Sequence, residues 1–120
     1  MGKTFEDLVN EAKGLIREVT TESVKGKIDS EHQFVLVDVR EDSEWEMGHL
    51  PTAIHLGRGI LERDAAKVIP DSGAEIILYC GGGYRSALAA QVLQTMGYTD
   101  VSSLDGGYAR WVESCNRVQE

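Results

Sequence analysis

Residues 76–86 read IILYCGGGYRS, and this stretch decides the fold. The apolar run Ile76–Tyr79 predicts a buried strand, and the alanine and leucine spacing of residues 86–96 predicts a helix. Cys80 therefore lies where a strand passes into a helix N-terminus. The three glycines allow positive φ angles, so we expect the backbone N–H groups of Gly81–Ser86 to converge on one anion. Such a setting favours the thiolate of Cys80, which is the nucleophilic form of cysteine.

The rest of the chain alternates predicted helices with predicted strands. The predicted helices are residues 4–19, a turn through Val24 and Ile28, and residues 43–47, 61–68 and 108–118; the predicted strands are residues 34–39, 53–56 and 101–104. This alternation predicts an α/β fold, a parallel sheet with helices on both faces. Ligands of such sheets bind beyond the carboxyl ends of the strands. Cys80, Asp38 and Arg40 all stand at such ends.

Composition limits the classes of partner. The 120 residues suffice for one core, and a net charge of −8 with a pI near 4.8 disfavours nucleic acid and anionic membranes. Two cysteines give no disulfide framework, and no apolar run reaches membrane-spanning length. The first twenty residues lack the apolar core of a secretory signal. We therefore expect a cytoplasmic protein without membrane contact.

The remaining cysteine and two of the histidines have structural interpretations. Cys115 shares a predicted helical stripe with Tyr108, Trp111, Val112 and Val118, which predicts burial in the core rather than a role as a resolving thiol. His49 and His55 lack the close pairing of metal-ligand motifs, so we expect no metal ion.

Three segments resemble the rhodanese family of sulfurtransferase domains. They are DVRE at 38–41 with EW at 44–45 and GHLP at 48–51; CGGGYRS at 80–86; and DGGY at 105–108 with Trp111. The resemblance covers residues 20–112 and implies a rhodanese-like fold with a central five-stranded parallel sheet. We expect an N-terminal helical extension at residues 1–19 and a rhodanese-like domain at residues 20–120. Thr52 stands where the family usually has glycine.

The resemblance implies a sulfur-transfer cycle that needs no metal or organic cofactor. Cys80 is the expected nucleophile, which takes sulfur from a small anionic donor such as thiosulfate or a persulfide. The acceptor is a thiol, a protein thiol included, or cyanide. The expected substrate-binding residues are Gly81, Gly82, Gly83, Tyr84, Arg85, Ser86 and Arg58. Asp38 and Arg40 are expected to support the neighbouring loops.

Two alternatives remain open from the sequence. The spacing Cys-x4-Arg from Cys80 to Arg85 is one residue shorter than the Cys-x5-Arg loop of cysteine phosphatases, and in this family the shorter loop accompanies sulfur. A phosphatase or arsenate reductase of related fold is the enzymatic alternative. The other is a rhodanese-like module that binds a protein partner and carries a persulfide to it.

Overall fold

The computed structural model describes residues 2–114 and 116–120 of the chain. Within these residues the helices are α1 (Phe5–Lys13), α2 (Thr21–Asp29), α3 (Asp42–Glu46), α4 (Leu61–Val68), α5 (Tyr84–Thr95) and α6 (Gly107–Glu113). The strands are β1 (Arg17–Val19), β2 (Val35–Asp38), β3 (Ile54–His55), β4 (Ile76–Tyr79) and β5 (Val101–Leu104). A 3-10 turn, Arg58–Ile60, precedes α4.

The five strands form one parallel sheet in the order β1-β5-β4-β2-β3. Helices α4 and α5 cover one face of the sheet, and α2 and α6 cover the other. Along the central β4 and the residue after it, Ile76, Leu78 and Cys80 pack into the first layer, and Ile77 and Tyr79 pack into the second. This architecture confirms the predicted α/β fold with five parallel strands and helices on both faces.

The first helix is shorter than predicted, and the predicted last turn of this helix forms strand β1 instead. Helix α1 begins with a capping box between Thr4 and Asp7, but it ends at Lys13, where Gly14 caps it. Residues 17–19 then pair with residues 102–104 of β5. The prediction of a helix over residues 4–19 is therefore wrong at its end, because edge pairing with β5 outweighs a helical apolar pattern that continues through residue 19.

The N-terminal segment packs closely against the rest of the molecule. Helix α1 packs against α5, and the Gln94 side-chain amide donates to the carbonyl of Leu15 over 3.0 Å. The division of the chain at residue 19 stays a prediction, although β1 shares the sheet with the strands that follow it. Among the described residues, no helix combines the length and apolar character needed to cross a bilayer.

The last helix is also shorter than predicted. Helix α6 ends at Glu113, and the chain then turns so that the Trp111 indole N–H donates to the carbonyl of Arg117 over 2.7 Å. Val112 and Val118 are 46% and 37% exposed, so the predicted buried stripe does not form at these two residues. For Val118 the physical reason is that the indole hydrogen bond to Arg117 and a backbone pairing between His49 and Gln119 hold the last residues in a non-helical path. The predicted burial of Cys115 lies outside the described residues.

The turn before β3 contains a strained residue. Thr52 has φ 68°, one of two positive-φ non-glycine residues among those described, and it is exposed. A β-branched residue in the left-handed region costs about 1–3 kcal/mol, whereas glycine adopts it freely. The threonine that departs from the family pattern is therefore a local cost to stability.

We expect Thr52→Gly to raise the free energy of unfolding by about 1 kcal/mol, because relief of strain exceeds the added entropy of the unfolded chain. Urea unfolding measures the change. Gln33→Gly is a matched control, since Gln33 is also an exposed loop residue but is not among those with positive φ. It should lower stability. A loss of stability in Thr52→Gly would contradict the assignment of strain.

Candidate active site

The Cys80 sulfur lies at the N-terminus of α5. Cys80 follows β4 directly and is 1% exposed. Its Sγ accepts hydrogen bonds from the backbone N–H groups of Gly83 over 3.1 Å and Ser86 over 3.4 Å, and the Ser86 hydroxyl lies 3.5 Å away. These dipoles and the positive end of the helix favour an anion at this sulfur. Of the predicted loop residues, Gly83 and Ser86 thus contact the thiol directly.

The loop takes this shape because its carbonyl groups are bonded to α6. The N–H groups of Tyr108 and Ala109 donate to the carbonyls of Cys80 and Gly81 over 2.8 and 3.0 Å. Within one peptide group N–H and C=O point in opposite directions, so the next amides turn away from α6. Gly107, with φ 54°, makes this approach possible, because a Cβ there would overlap the carbonyl oxygen of Cys80.

Gly83 completes the turn into α5. It has φ 97°, in the left-handed region that favours glycine. A Cβ on Gly83 would lie 3.3 Å from the backbone nitrogen of Gly106, so a side chain would also press against the turn before α6. Of the three glycines at 81–83, only Gly83 has the positive φ angle that the sequence predicts. The close approach of Gly107 to Cys80 was not predicted. The adjacent glycines at 106–107 were the feature of the sequence that could have indicated this approach.

Two buried hydroxyl groups extend the polar environment of the thiol. The hydroxyl groups of Ser86 and Ser103 lie 2.8 Å apart, and both residues are fully buried. Ser103 belongs to β5, next to β4, and its hydroxyl group shares a hydrogen bond with the Ser86 hydroxyl. Sequence reasoning did not identify Ser103. The available signal was a pair of serines, residues 102–103, inside the predicted strand over residues 101–104.

Arg85 forms an ion pair with Glu44 beside the loop of residues 80–86, and we call this position the mouth of the loop. Its Nη1 and Nη2 donate to the two carboxylate oxygens of Glu44 over 2.8 and 3.2 Å, and both side chains are about one-third exposed. The guanidinium lies against the backbone of Gly81, since a Cβ there would be 3.2 Å from Nη2. Glu44 also accepts a hydrogen bond from the backbone N–H of Glu41, and this hydrogen bond is part of the N-terminal cap of α3. The structure thus places Arg85 beside Cys80, with its donors directed at Glu44.

Asp38 and Arg40 form a buried pair that links three segments. The Arg40 Nε and Nη2 donate to the Asp38 carboxylate over 3.0 and 2.8 Å, and Nη2 also donates to the carbonyl of Gly48 over 2.7 Å. The Arg40 guanidinium lies 4.1 Å from the centre of the Tyr108 ring. These contacts tie β2 to the Gly48 turn and to α6. The supporting role of Asp38 and Arg40 stays a prediction.

The other residues considered from the sequence lie around this edge. Arg58 pairs with Glu62 over 2.9 Å, and the half-exposed Tyr84 ring lies 5.4 Å below the Lys13 ammonium. The rings of His49 and His55 both stack with Trp45, at centroid distances of 3.6 and 5.1 Å. Among the described residues, no group of three or more His, Cys, Asp or Glu side chains is arranged to hold a metal ion.

The ion pair predicts how Glu44 titrates. Hydrogen bonds from Arg85, opposed by partial burial and aided by the Glu41 N–H, lower the pKa of Glu44 from 4.5 to about 2. Because this pKa is lowered in the folded state, the pair stabilises the fold above about pH 4.5 and loses that contribution as the pH falls towards 2. We expect carboxyl NMR titration to show this low midpoint and Arg85→Gln to raise it. An unchanged midpoint in Arg85→Gln would contradict the pairing.

Comparison with known proteins identifies the family. The putative sulfur carrier protein YrkF of Bacillus subtilis is 32% identical over 96 residues, 80% of this chain and 51% of YrkF, so the chain spans about half the length of that relative. The thiosulfate sulfurtransferase GlpE of Pseudomonas savastanoi pv. phaseolicola is 36% identical over 77 residues, 64% of this chain and 71% of GlpE.

Solved structures have the same fold. A Rhodopseudomonas palustris protein of unknown function, described as a possible tyrosine phosphatase, superposes with a TM-score of 0.91 at 28% identity. The alignment covers 99% of this chain and 96% of that protein. The family model of the rhodanese-like domain matches residues 20–114. This match covers most of the chain, and the chain therefore belongs to the rhodanese-like domain family.

Proposed function

We propose that the protein is a sulfurtransferase that carries sulfane sulfur as a persulfide on Cys80. The observation that supports this most strongly is the position of Sγ, which accepts the N–H groups of Gly83 and Ser86 at the start of α5. These fixed dipoles stabilise a thiolate before reaction and a terminal persulfide anion after it. The expected cytoplasmic location belongs to the same proposal.

The first half-reaction forms the persulfide. With thiosulfate as donor, the Cys80 thiolate attacks the outer sulfur, the new Sγ–S bond forms, and the S–S bond of the donor breaks. The electron pair of that bond leaves on sulfite, so the enzyme carries a persulfide anion and no proton has to be supplied. Loop amides near Sγ then hold the negative charge on the terminal sulfur.

The second half-reaction returns the cysteine. A thiolate or cyanide acceptor attacks the terminal sulfur, the Sγ–S bond breaks, and its electron pair stays on Cys80 as thiolate. Two relatives, one named a thiosulfate sulfurtransferase and the other a putative sulfur carrier protein, support donors and acceptors of this kind. A protein thiol as acceptor would make the chain a persulfide carrier.

Phosphoester hydrolysis is the second candidate, because the structural neighbour from Rhodopseudomonas palustris is described as a possible tyrosine phosphatase. Two features of the site favour sulfur over phosphate. Cys80 is 1% exposed, so a donor that presents a single sulfur atom reaches it more easily than a tetrahedral phosphate. Arg85, the cation that would hold a phosphate in the loop, is bound to Glu44 by two hydrogen bonds.

We expect intact-mass spectrometry to show a gain of one sulfur atom after treatment with thiosulfate or an alkyl persulfide. The gain should be absent in Cys80→Ser and retained in the matched variant Cys115→Ser, which removes the other cysteine. Circular dichroism checks that both variants fold. If no sulfane donor adds sulfur to the wild type, or if Cys80→Ser still gains it, the proposal fails. Hydrolysis of p-nitrophenyl phosphate that disappears in Cys80→Ser would instead support the phosphatase.

A further inference from the structure

The predicted donor-binding arginines are both neutralised by carboxylates. Arg85 is held by Glu44 through two hydrogen bonds, and Arg58 is held by Glu62 through one of 2.9 Å. Glu44 is about one-third exposed and its pKa is lowered to about 2, so it is ionised at neutral pH. The mouth of the loop therefore offers an anionic donor little net positive charge.

Other carboxylates near this mouth act in the same direction. Glu41 and Asp42 stand at the start of α3, exposed and within one turn of Glu44. The negative charge of Glu41 also contributes, after Glu44 and Cys80, to raising the pKa of Arg85. Because the whole chain carries a net charge of −8, the long-range field also repels anions.

We propose that Glu44 is a positioning residue that sets donor selectivity, because it holds Arg85 away from incoming donors and so disfavours thiosulfate relative to a persulfide of lower charge. This inference rests on the proposed sulfurtransferase function. It assigns the natural donor to the class of alkyl or protein persulfides. The reaction that supplies this protein with its sulfur donor would then be one that generates persulfides.

The charge balance of the two possible first steps explains the selectivity. Thiosulfate brings two negative charges to the Cys80 thiolate, so three negative charges share the loop as the sulfur transfers. A protonated alkyl persulfide brings none: the thiolate attacks its outer sulfur, the persulfide S–S bond breaks, and the electron pair leaves on an alkyl thiolate. A free Arg85 would lower the cost of the first step much more than that of the second.

The substitution Glu44→Gln tests this directly. Glutamine keeps the side-chain oxygen that caps α3 through the Glu41 N–H, but it removes the charge that holds Arg85. We expect kcat/KM for thiosulfate to rise about tenfold, and that for the persulfide of 2-mercaptoethanol to change less than about twofold. The thiosulfate rate of the variant should also fall more steeply with added salt, because attraction of the dianion to Arg85 is screened.

Two further variants separate this role from general effects of charge. Glu46→Gln removes the same charge from the exposed side of the same helix, and it should leave the ratio of the two donors unchanged. In the double variant Glu44→Gln/Arg85→Gln, the gain with thiosulfate should disappear, because no guanidinium remains to bind the dianion. Both variants are measured with both donors.

Equal changes with both donors in Glu44→Gln, no change with either, or the same change of ratio in Glu46→Gln would overturn the inference. So would a gain that persists in the double variant. Each of these outcomes leaves the proposed function standing, since sulfur still reaches Cys80. If neither donor adds sulfur to the wild type, the proposed function itself fails, and the intact-mass measurement distinguishes that case.

Discussion

The close approach of α6 to the backbone of Cys80 and Gly81 is the constraint on which the site depends. Two hydrogen bonds from the start of α6 hold the carbonyls of these residues, and the approach requires glycine at position 107. With the carbonyls bound on that side, the loop turns through the left-handed Gly83 and directs two amides at the sulfur. The sheet contributes by bringing the ends of β4 and β5 together. The sulfur is thus held by backbone geometry.

The charged side chains around the loop serve mainly to fix its surroundings. Arg40 is buried with Asp38 and ties the sheet edge to the Gly48 turn, while Arg85 binds Glu44 across the mouth. Neither arginine directs its hydrogen bonds at the sulfur. Backbone amides stabilise an anion without attracting dianions from a distance, whereas a free guanidinium would do both. This division suits a site in which the charge to be stabilised forms on the protein's own sulfur.

Features set by local sequence and by the alternation of strands and helices were predictable, and individual contacts between distant segments were not. The strand, glycine turn and helix around Cys80 could be predicted because apolar spacing and glycine conformation act over a few residues. For residues 17–19 the local apolar pattern predicts a helix, whereas the structure has a strand. The pairing of this strand with β5 joins segments more than eighty residues apart, so the local pattern does not contain it. The contact of Arg85 with Glu44, from forty-one residues away, and the approach of Gly107 to Cys80 have the same origin. Such contacts depend on how the elements pack.

The most direct test of this account is a crystal structure of the protein after treatment with a sulfane donor that has loaded Cys80. We expect a second sulfur atom bonded to Sγ and lying against the backbone N–H groups of the loop that includes Gly83 and Ser86, with the carbonyls of Cys80 and Gly81 still bonded to α6. A loaded protein whose outer sulfur points away from these amides would contradict it. So would a loop that leaves α6 when it accepts the sulfur.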